Sequence, residues 1–284
     1  MDLDLETKNE ILRALGANEE DLAVLTAYTA NAFICKHDID NLSDSNYLEL
    51  WNPFFISATE NGTANAINLH LVRPDLKIDF ENPEGIEIEL FCSVAGKIPI
   101  ITAKSTADFE KLVTNIVNRG IRNPFIKNLG ASFVFGKINR FIILSYKPYS
   151  NVLASDAGLD ETLWIEKSLV IRKHHECVHY YTKRYYGSTR NNLHDELIAD
   201  FYGLWAAFGT YEADLFKKFL AQGRLRIYVQ DLPPSAAAII EKLAYAVADQ
   251  LEVWTKSESF RQMNEKQRIN FLCEKELLEY MKQI

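Results

Sequence analysis

The sequence predicts an α+β fold: a mixed or antiparallel sheet flanked by an N-terminal helical segment and a C-terminal helical half. Three observations carry this expectation. Apolar residues recur at three and four positions near the N-terminus and again after about residue 160, which is the helical period. Between those regions, stretches such as Ile86-Glu-Ile-Glu-Leu-Phe alternate with period two, as a half-buried strand does. Helices, strands and helices therefore follow in blocks, without the regular βαβ alternation of a parallel-sheet protein. The expected division is residues 1–53 as the helical segment, 54–150 as a mixed sheet region with one covering helix, and 151–284 as a helical region. The three are compatible with one integrated unit.

The elements can be justified in order. Residues 5–16 and 19–35 read as helices, with Leu5, Ile11, Leu12 and Leu15, then Leu22, Leu25 and Tyr28, on their apolar faces and Gly16 as the break. Residues 38–53, with Asp, Asn, Ser and Pro, read as a turn-rich connection. Ala66-Ile-Asn-Leu-His-Leu-Val alternates and reads as a strand, as do Ile86–Phe91 and the short apolar Pro99-Ile-Ile-Thr. Ser105 is placed to cap a helix reaching about Asn118, with Asp108 at the capping-box position and Gly120 as the stop. Ser132-Phe-Val-Phe and Arg140–Tyr146, around Gly136-Lys-Ile-Asn, read as a hairpin. Beyond residue 160 the pattern is helical. Pro233-Pro234 precedes an alanine-rich helix over 235–253, and a charged amphipathic helix is expected over 258–282.

Composition narrows the function. The 284-residue chain carries a net charge of -8, which disfavours nucleic acid or an anionic membrane as partner. No apolar run approaches the roughly 20 residues that span a bilayer. The opening MDLDLETKNE has neither the apolar core of a secretory signal nor the basic amphipathicity of a transit peptide. Cys35, Cys92, Cys177 and Cys273 lie far apart with no C-x-x-C, as expected of free thiols in a reducing cytoplasm. The expected setting is cytoplasmic, with no nucleic-acid or membrane partner and the oligomeric state left open.

The chemistry concentrates between Asp160 and Gly209. Asp160 suits an N-cap and Gly187 a helix stop, giving a helix of about seven turns. It carries His175-Glu176-Cys177-Val178-His179. At about 100° per residue, His179 lies about 40° and Glu176 about 100° from His175 around the helix. The two imidazoles thus point the same way, one turn apart, and can share one cation. Glu176 is offset towards a water beside that cation. On the next helix Glu196 and Asp200 form E-x-x-x-D on one face. Glu196 can supply the third ligand that a catalytic zinc needs, and Asp200 can accept the outer N–H of a ligating histidine. Ile198, Phe201 and Trp205 point away, to pack the core.

The pattern resembles that of the gluzincins, the thermolysin-like zinc metallopeptidases. The likeness covers H-E-x-x-H (His175, Glu176, His179) and E-x-x-x-D (Glu196, Asp200), about 26 residues in a helix–loop–helix context. It implies one Zn2+ held by His175, His179 and Glu196, with Glu176 as general base and Asp200 behind the ligands. The helical half would then be zincin-like and the protein a metalloprotease or amidohydrolase, cleaving a peptide or small amide. In that reaction the ion polarises the carbonyl and Glu176 moves the proton of the attacking water to the leaving amine. An extended substrate would add to the sheet edge near Arg140–Tyr146. The chain departs from the family in one respect: no histidine follows His194. Some gluzincins use a tyrosine against the oxyanion, and Tyr211, Tyr228 and Tyr245 all qualify.

Arg172, Lys183 and Tyr186 fall on the same helix face as the histidines, at about 60°, 80° and 20°, and Arg190 follows in the loop. The cations suit a substrate carboxylate and Tyr186 the wall of a cleft; the competing roles are local charge balance and aromatic packing. His174, Cys177 and His194 fall elsewhere and read as packed core residues. Two other readings use the same ligands. One is a mononuclear iron enzyme, since two histidines and a carboxylate also suit iron. The other is a non-catalytic protein in which metal staples two helices.

Overall fold

Burial, more than local propensity, decides where helices and strands fall in the computed structural model, which describes residues 3–34, 36, 44–136, 140–188 and 192–282. The helices are α1 (Leu5–Ala14), α2 (Leu22–Thr29), α3 (Ser45–Asn61), α4 (Thr63–His70), α5 (Thr106–Leu112), α6 (Glu161–Tyr185), α7 (Leu193–Phe208), α8 (Ala213–Phe219), α9 (Leu225–Tyr228), α10 (Pro234–Thr255), α11 (Glu258–Gln262) and α12 (Glu265–Cys273). The strands are β1 (Ile86–Ser93), β2 (Gly96–Ala103), β3 (Ala131–Phe135) and β4 (Arg140–Ser145). The fold class is α+β, with one small mixed sheet among helices. No described helix is long and apolar enough to cross a membrane.

The chain divides into two units by internal contact. One comprises Asp38–Tyr149 and Leu153–Tyr180, the other Met1–His37, Ser150–Val152 and Tyr181–Ile284. The first contains the sheet, in the order β1-β2-β4-β3. β1 and β2 pair antiparallel, β2 and β4 parallel, and β3 and β4 antiparallel as the expected hairpin. One sheet face presents Ile86, Ile101, Ala103, Phe141 and Ile143 to a core completed by α3, α4 and α5. On the other face Phe91 lies edge-on to His174 of α6, and Phe133 packs against Tyr180. Because both faces are covered, β2 and β4 are almost continuously buried, the pattern of interior strands. β4 is paired on both sides, so Arg140–Tyr146 does not form the sheet edge expected to take an extended substrate; the edges are β1 and β3.

Two segments of this unit correct the sequence expectations. The turn-rich connection over 38–53 is helical from Ser45, even with Pro53 inside α3. Tyr47, Trp51 and Phe54 recur at helical spacing and are almost fully buried, and this stripe outweighs the poor propensity of its neighbours. The alternating segment Ala66–Val72 is not a strand but lies largely in α4. Ala64 and Ile67 are buried and Asn68 is half-buried, while Leu69 is exposed. Gly62, at φ 84°, separates α3 from α4 in a conformation natural to glycine. The Asn68 amide bonds both the N–H and the carbonyl of Ile78, fixing the chain that leads to β1. Ser105 caps α5 as expected, accepting from Asp108 N–H. The Asp108 carboxylate accepts instead from the N–H groups of Glu81 and Asn82, so no reciprocal capping box forms.

The second unit is helical. α10 is its centre, with Leu243, Val247, Leu251 and Trp254 buried. Phe201 of α7 stacks near Tyr211 and Trp254, and Trp205 meets Phe260 edge-on. The helix expected over 19–35 is only α2, which ends where the chain becomes extended at Ala30. The single helix expected over 258–282 is broken into α11, α12 and a 3-10 turn over Leu277–Met281. Asn264 and Gln267 form a capping box that starts α12 anew, and this local bonding overrides the amphipathic period.

Candidate metal centre

α6 begins as its sequence dictates. Asp160 Oδ1 accepts the Leu163 N–H at 2.9 Å, and Gly187 follows the helix at φ 65°. Ile171, Cys177, Val178 and Tyr180 are buried, which fixes the rotation of the helix and with it the direction of the histidines. Cys177 is therefore a core residue, whereas His174 is half-buried, edge-on to Phe91.

His175 and His179 are buried, with their Nε2 atoms 3.1 Å apart. Two nitrogens bound to one tetrahedral zinc, at about 2.1 Å each, lie about 3.4 Å from one another. The pair thus already has nearly the spacing of two ligands. Tyr149 sets the orientation of the first ring: its hydroxyl lies 2.9 Å from His175 Nδ1. Tyr149 is itself held by a bond from its N–H to the Ser168 hydroxyl at 2.9 Å. Glu176 is half-buried, and its carboxylate makes no hydrogen bond or ion pair with any described residue.

α7 starts at Asn192, whose side chain accepts the Asp195 N–H, and ends at Gly209 in the left-handed conformation. It carries Glu196 and Asp200 one turn apart. Arg224 joins the two: Nη2 donates to Glu196 Oε2 at 2.9 Å and Nη1 to Asp200 Oδ2 at 2.7 Å. Tyr228 donates to the same Glu196 Oε2 at 3.0 Å. Burial holds the Tyr228 hydroxyl well above the usual phenol range; Arg224 opposes the shift, and the carboxylates of Glu196 and Asp200 add to it.

One group of ligand-type side chains among the described residues can hold a cation: His175, His179 and Glu196 offer one donor atom each, all within 4.8 Å of one another. Two imidazole nitrogens and a carboxylate oxygen form a donor set that fits zinc.

The other expected site residues fall differently. Arg172 does not present its guanidinium to a substrate carboxylate. It is buried and donates to the carbonyls of Ser145, Lys147 and Pro148, so it closes the turn after β4. Tyr186 is buried too, bonded through its hydroxyl to Asn270 and edge-on to Phe33, a packing role. Lys183 is half-buried. Arg190 lies outside the described residues. Asp200, expected to orient a ligating histidine, bonds Arg224 at 2.7 Å, and the outer nitrogen of His175 lies 2.9 Å from the Tyr149 hydroxyl. Of the three tyrosines considered for an oxyanion, Tyr211 is buried in an aromatic cluster, Tyr245 bonds Glu241, and Tyr228 bonds Glu196. His194 is fully packed, its Nε2 3.1 Å from the Tyr280 hydroxyl. Sequence reasoning missed Tyr149 and Arg224. Neither lies at a helical spacing from the motif; only the turn residues beside them, Pro148 and Gly223, mark the segments as special.

Residues 73–140 and 137–283 match one family, described as a family of unknown function, DUF7005. The chain belongs to DUF7005. The second matched segment contains all the residues of the candidate centre, from Tyr149 to Tyr228. No curated protein and no solved structure matches the chain.

Proposed function

We propose that this member of DUF7005 is a zinc-dependent hydrolase of a peptide or small amide bond, acting in the cytoplasm. The observation that carries the reading is the convergence of one donor atom each from His175, His179 and Glu196 within 4.8 Å. Glu176 supports a catalytic rather than a purely structural centre, because a metal staple has no use for a carboxylate without a hydrogen-bonding partner among the described residues. A bound zinc ion supplies a Lewis acid that polarises the scissile carbonyl and acidifies water. Glu176 accepts the proton of the attacking water and delivers it to the leaving amine. Tyr149 holds the His175 ring, and Arg224 with Tyr228 holds Glu196. The free thiols of Cys92, Cys177 and Cys273 are in keeping with a reducing compartment.

The test is elemental analysis of the purified protein, wild type and Glu176→Gln, together with cleavage of a mixed peptide library read by mass spectrometry. One zinc per chain in both, with cleavage by the wild type alone, is the expected result. Absence of stoichiometric metal overturns the reading. Iron without amide cleavage would transfer the site to mononuclear iron chemistry.

A further inference from the structure

Arg224 owes its place to a local break in the helix. The π turn Leu220–Arg224 contains Gly223 at φ 92°, so the chain turns just before the arginine. α9 then sets Tyr228 one turn beyond Arg224, on the same face. From there the guanidinium uses every edge. Nε donates to the Tyr228 hydroxyl at 2.9 Å, Nη1 to Ser150 Oγ at 3.0 Å and Asp200 Oδ2 at 2.7 Å, and Nη2 to Glu196 Oε2 at 2.9 Å. Asp200 is fully buried, and Arg224 and Glu196 are largely so. Only a planar fork reaches four partners in this way; a lysine ammonium is a point charge with fewer donors.

We propose that Arg224 is a positioning residue for the metal centre, fixing Glu196 as a one-oxygen ligand. This inference rests on the metal reading above. Glu196 Oε2 accepts from two donors, Arg224 Nη2 and the Tyr228 hydroxyl, which occupy both of its in-plane lone pairs. Ligation therefore falls to Oε1. A carboxylate held in this way cannot rotate to chelate through both oxygens, so the centre keeps three protein ligands and an open fourth position. The same guanidinium neutralises part of the charge of two carboxylates one turn apart on α7. Without it, Glu196 and Asp200 would repel each other, and Glu196 would be able to ligate through both oxygens.

The experiment is zinc affinity, by competition with a chromogenic chelator, and the visible spectrum of the cobalt(II)-loaded protein. It compares wild type with Arg224→Lys, Arg224→Met and Tyr228→Phe, each first checked for folding by circular dichroism. Arg224→Lys keeps the charge but loses the fork, and Tyr228→Phe removes only one donor to Oε2. Expected is a 10- to 100-fold loss of zinc affinity in both arginine variants, the range typical of partners behind metal ligands. The cobalt spectrum should weaken from the intense bands of four-coordination towards those of a higher coordination number. Tyr228→Phe should show a smaller change in the same direction and stays informative if the arginine variants fail to fold. Unchanged affinity and spectrum in a folded variant overturn the role of Arg224 while leaving the metal site standing. A wild type that binds no zinc overturns the metal reading and this inference together.

Discussion

The hydroxyl of Tyr149 lies 2.9 Å from Nδ1 of His175, so a loop residue holds the imidazole that the H-E-x-x-H motif supplies. Partners behind metal-binding histidines set ring orientation and ligand basicity. Tyr149→Phe keeps the ring in place beside His175 and removes only this bond. Zinc affinity should fall about tenfold with the melting temperature nearly unchanged. Equal affinity in titrations of the two proteins would show that the bond does not tune the site.

Zinc should also stabilise the fold, because an ion bound only by the native state shifts the unfolding equilibrium. At a free concentration about 100 times Kd the gain is about 2.7 kcal/mol, or a rise of about 5 °C in Tm. Thermal melts of wild type with and without zinc measure it. His175→Ala should melt at the same temperature in both conditions, and a shift retained in that variant would place the ion elsewhere.

The imidazole of His194 is expected to contribute to loss of stability in acid. Its burial depresses the pKa from 6.5 to about 4, with Asp195 pulling weakly the other way. The unfolded chain therefore binds a proton that the native chain refuses. The stabilising contribution is fully present above about pH 6.5 and is lost as pH falls towards 4. Its size is on the order of 3 kcal/mol. Urea denaturation from pH 4 to 8 should show the decline, and His194→Gln should flatten it. A variant as acid-sensitive as wild type would mean that other groups drive the loss.

Arg172 is expected to matter for stability rather than substrate choice. Arg172→Met leaves the carbonyls of Ser145, Lys147 and Pro148 without their donor, a cost of about 3 kcal/mol by urea denaturation. Gly130→Ala probes the same clasp, since a Cβ there would stand 2.7 Å from Arg172 Nε and the guanidinium is pinned on its other side. Normal stability with a selective loss in kcat/KM for anionic peptides would restore the role first expected of Arg172.

How far the sequence reached can be judged from particular residues. The helices bearing His175 and Glu196 were legible because caps, stops and a long 3.6-residue period all agree there, and β1, β2 and the β3–β4 hairpin because their alternation or apolar run is bounded by turn residues. α3 and α4 were not. Tyr47, Trp51 and Phe54 form their stripe amid helix-breaking neighbours, and Ile67, Leu69 and Leu71 alternate by coincidence while only the first is buried. In the candidate centre the donor set was legible because i, i+4 spacing fixes direction on a helix. Its supports were not. Tyr149 acts from a loop whose following residues, Ser150 and Asn151, adopt positive φ, and Arg224 acts from a π turn. Such backbone places side chains in directions that no period announces. Arg172 met the opposite fate: its charge was claimed by the carbonyls of Ser145, at the end of β4, and of Lys147 and Pro148 beyond it.

The 3.1 Å between the Nε2 atoms of His175 and His179 is the length of an N–H···N hydrogen bond, in which one ring donates a proton and the other accepts it. That proton has to vacate the space before any cation takes both nitrogens. It moves to Nδ1 of its own ring by a change of tautomer, and on His175 that Nδ1 proton turns the Tyr149 oxygen into an acceptor. A hydrogen bond and a shared cation are thus alternatives at this one position, because the same two nitrogen lone pairs serve either.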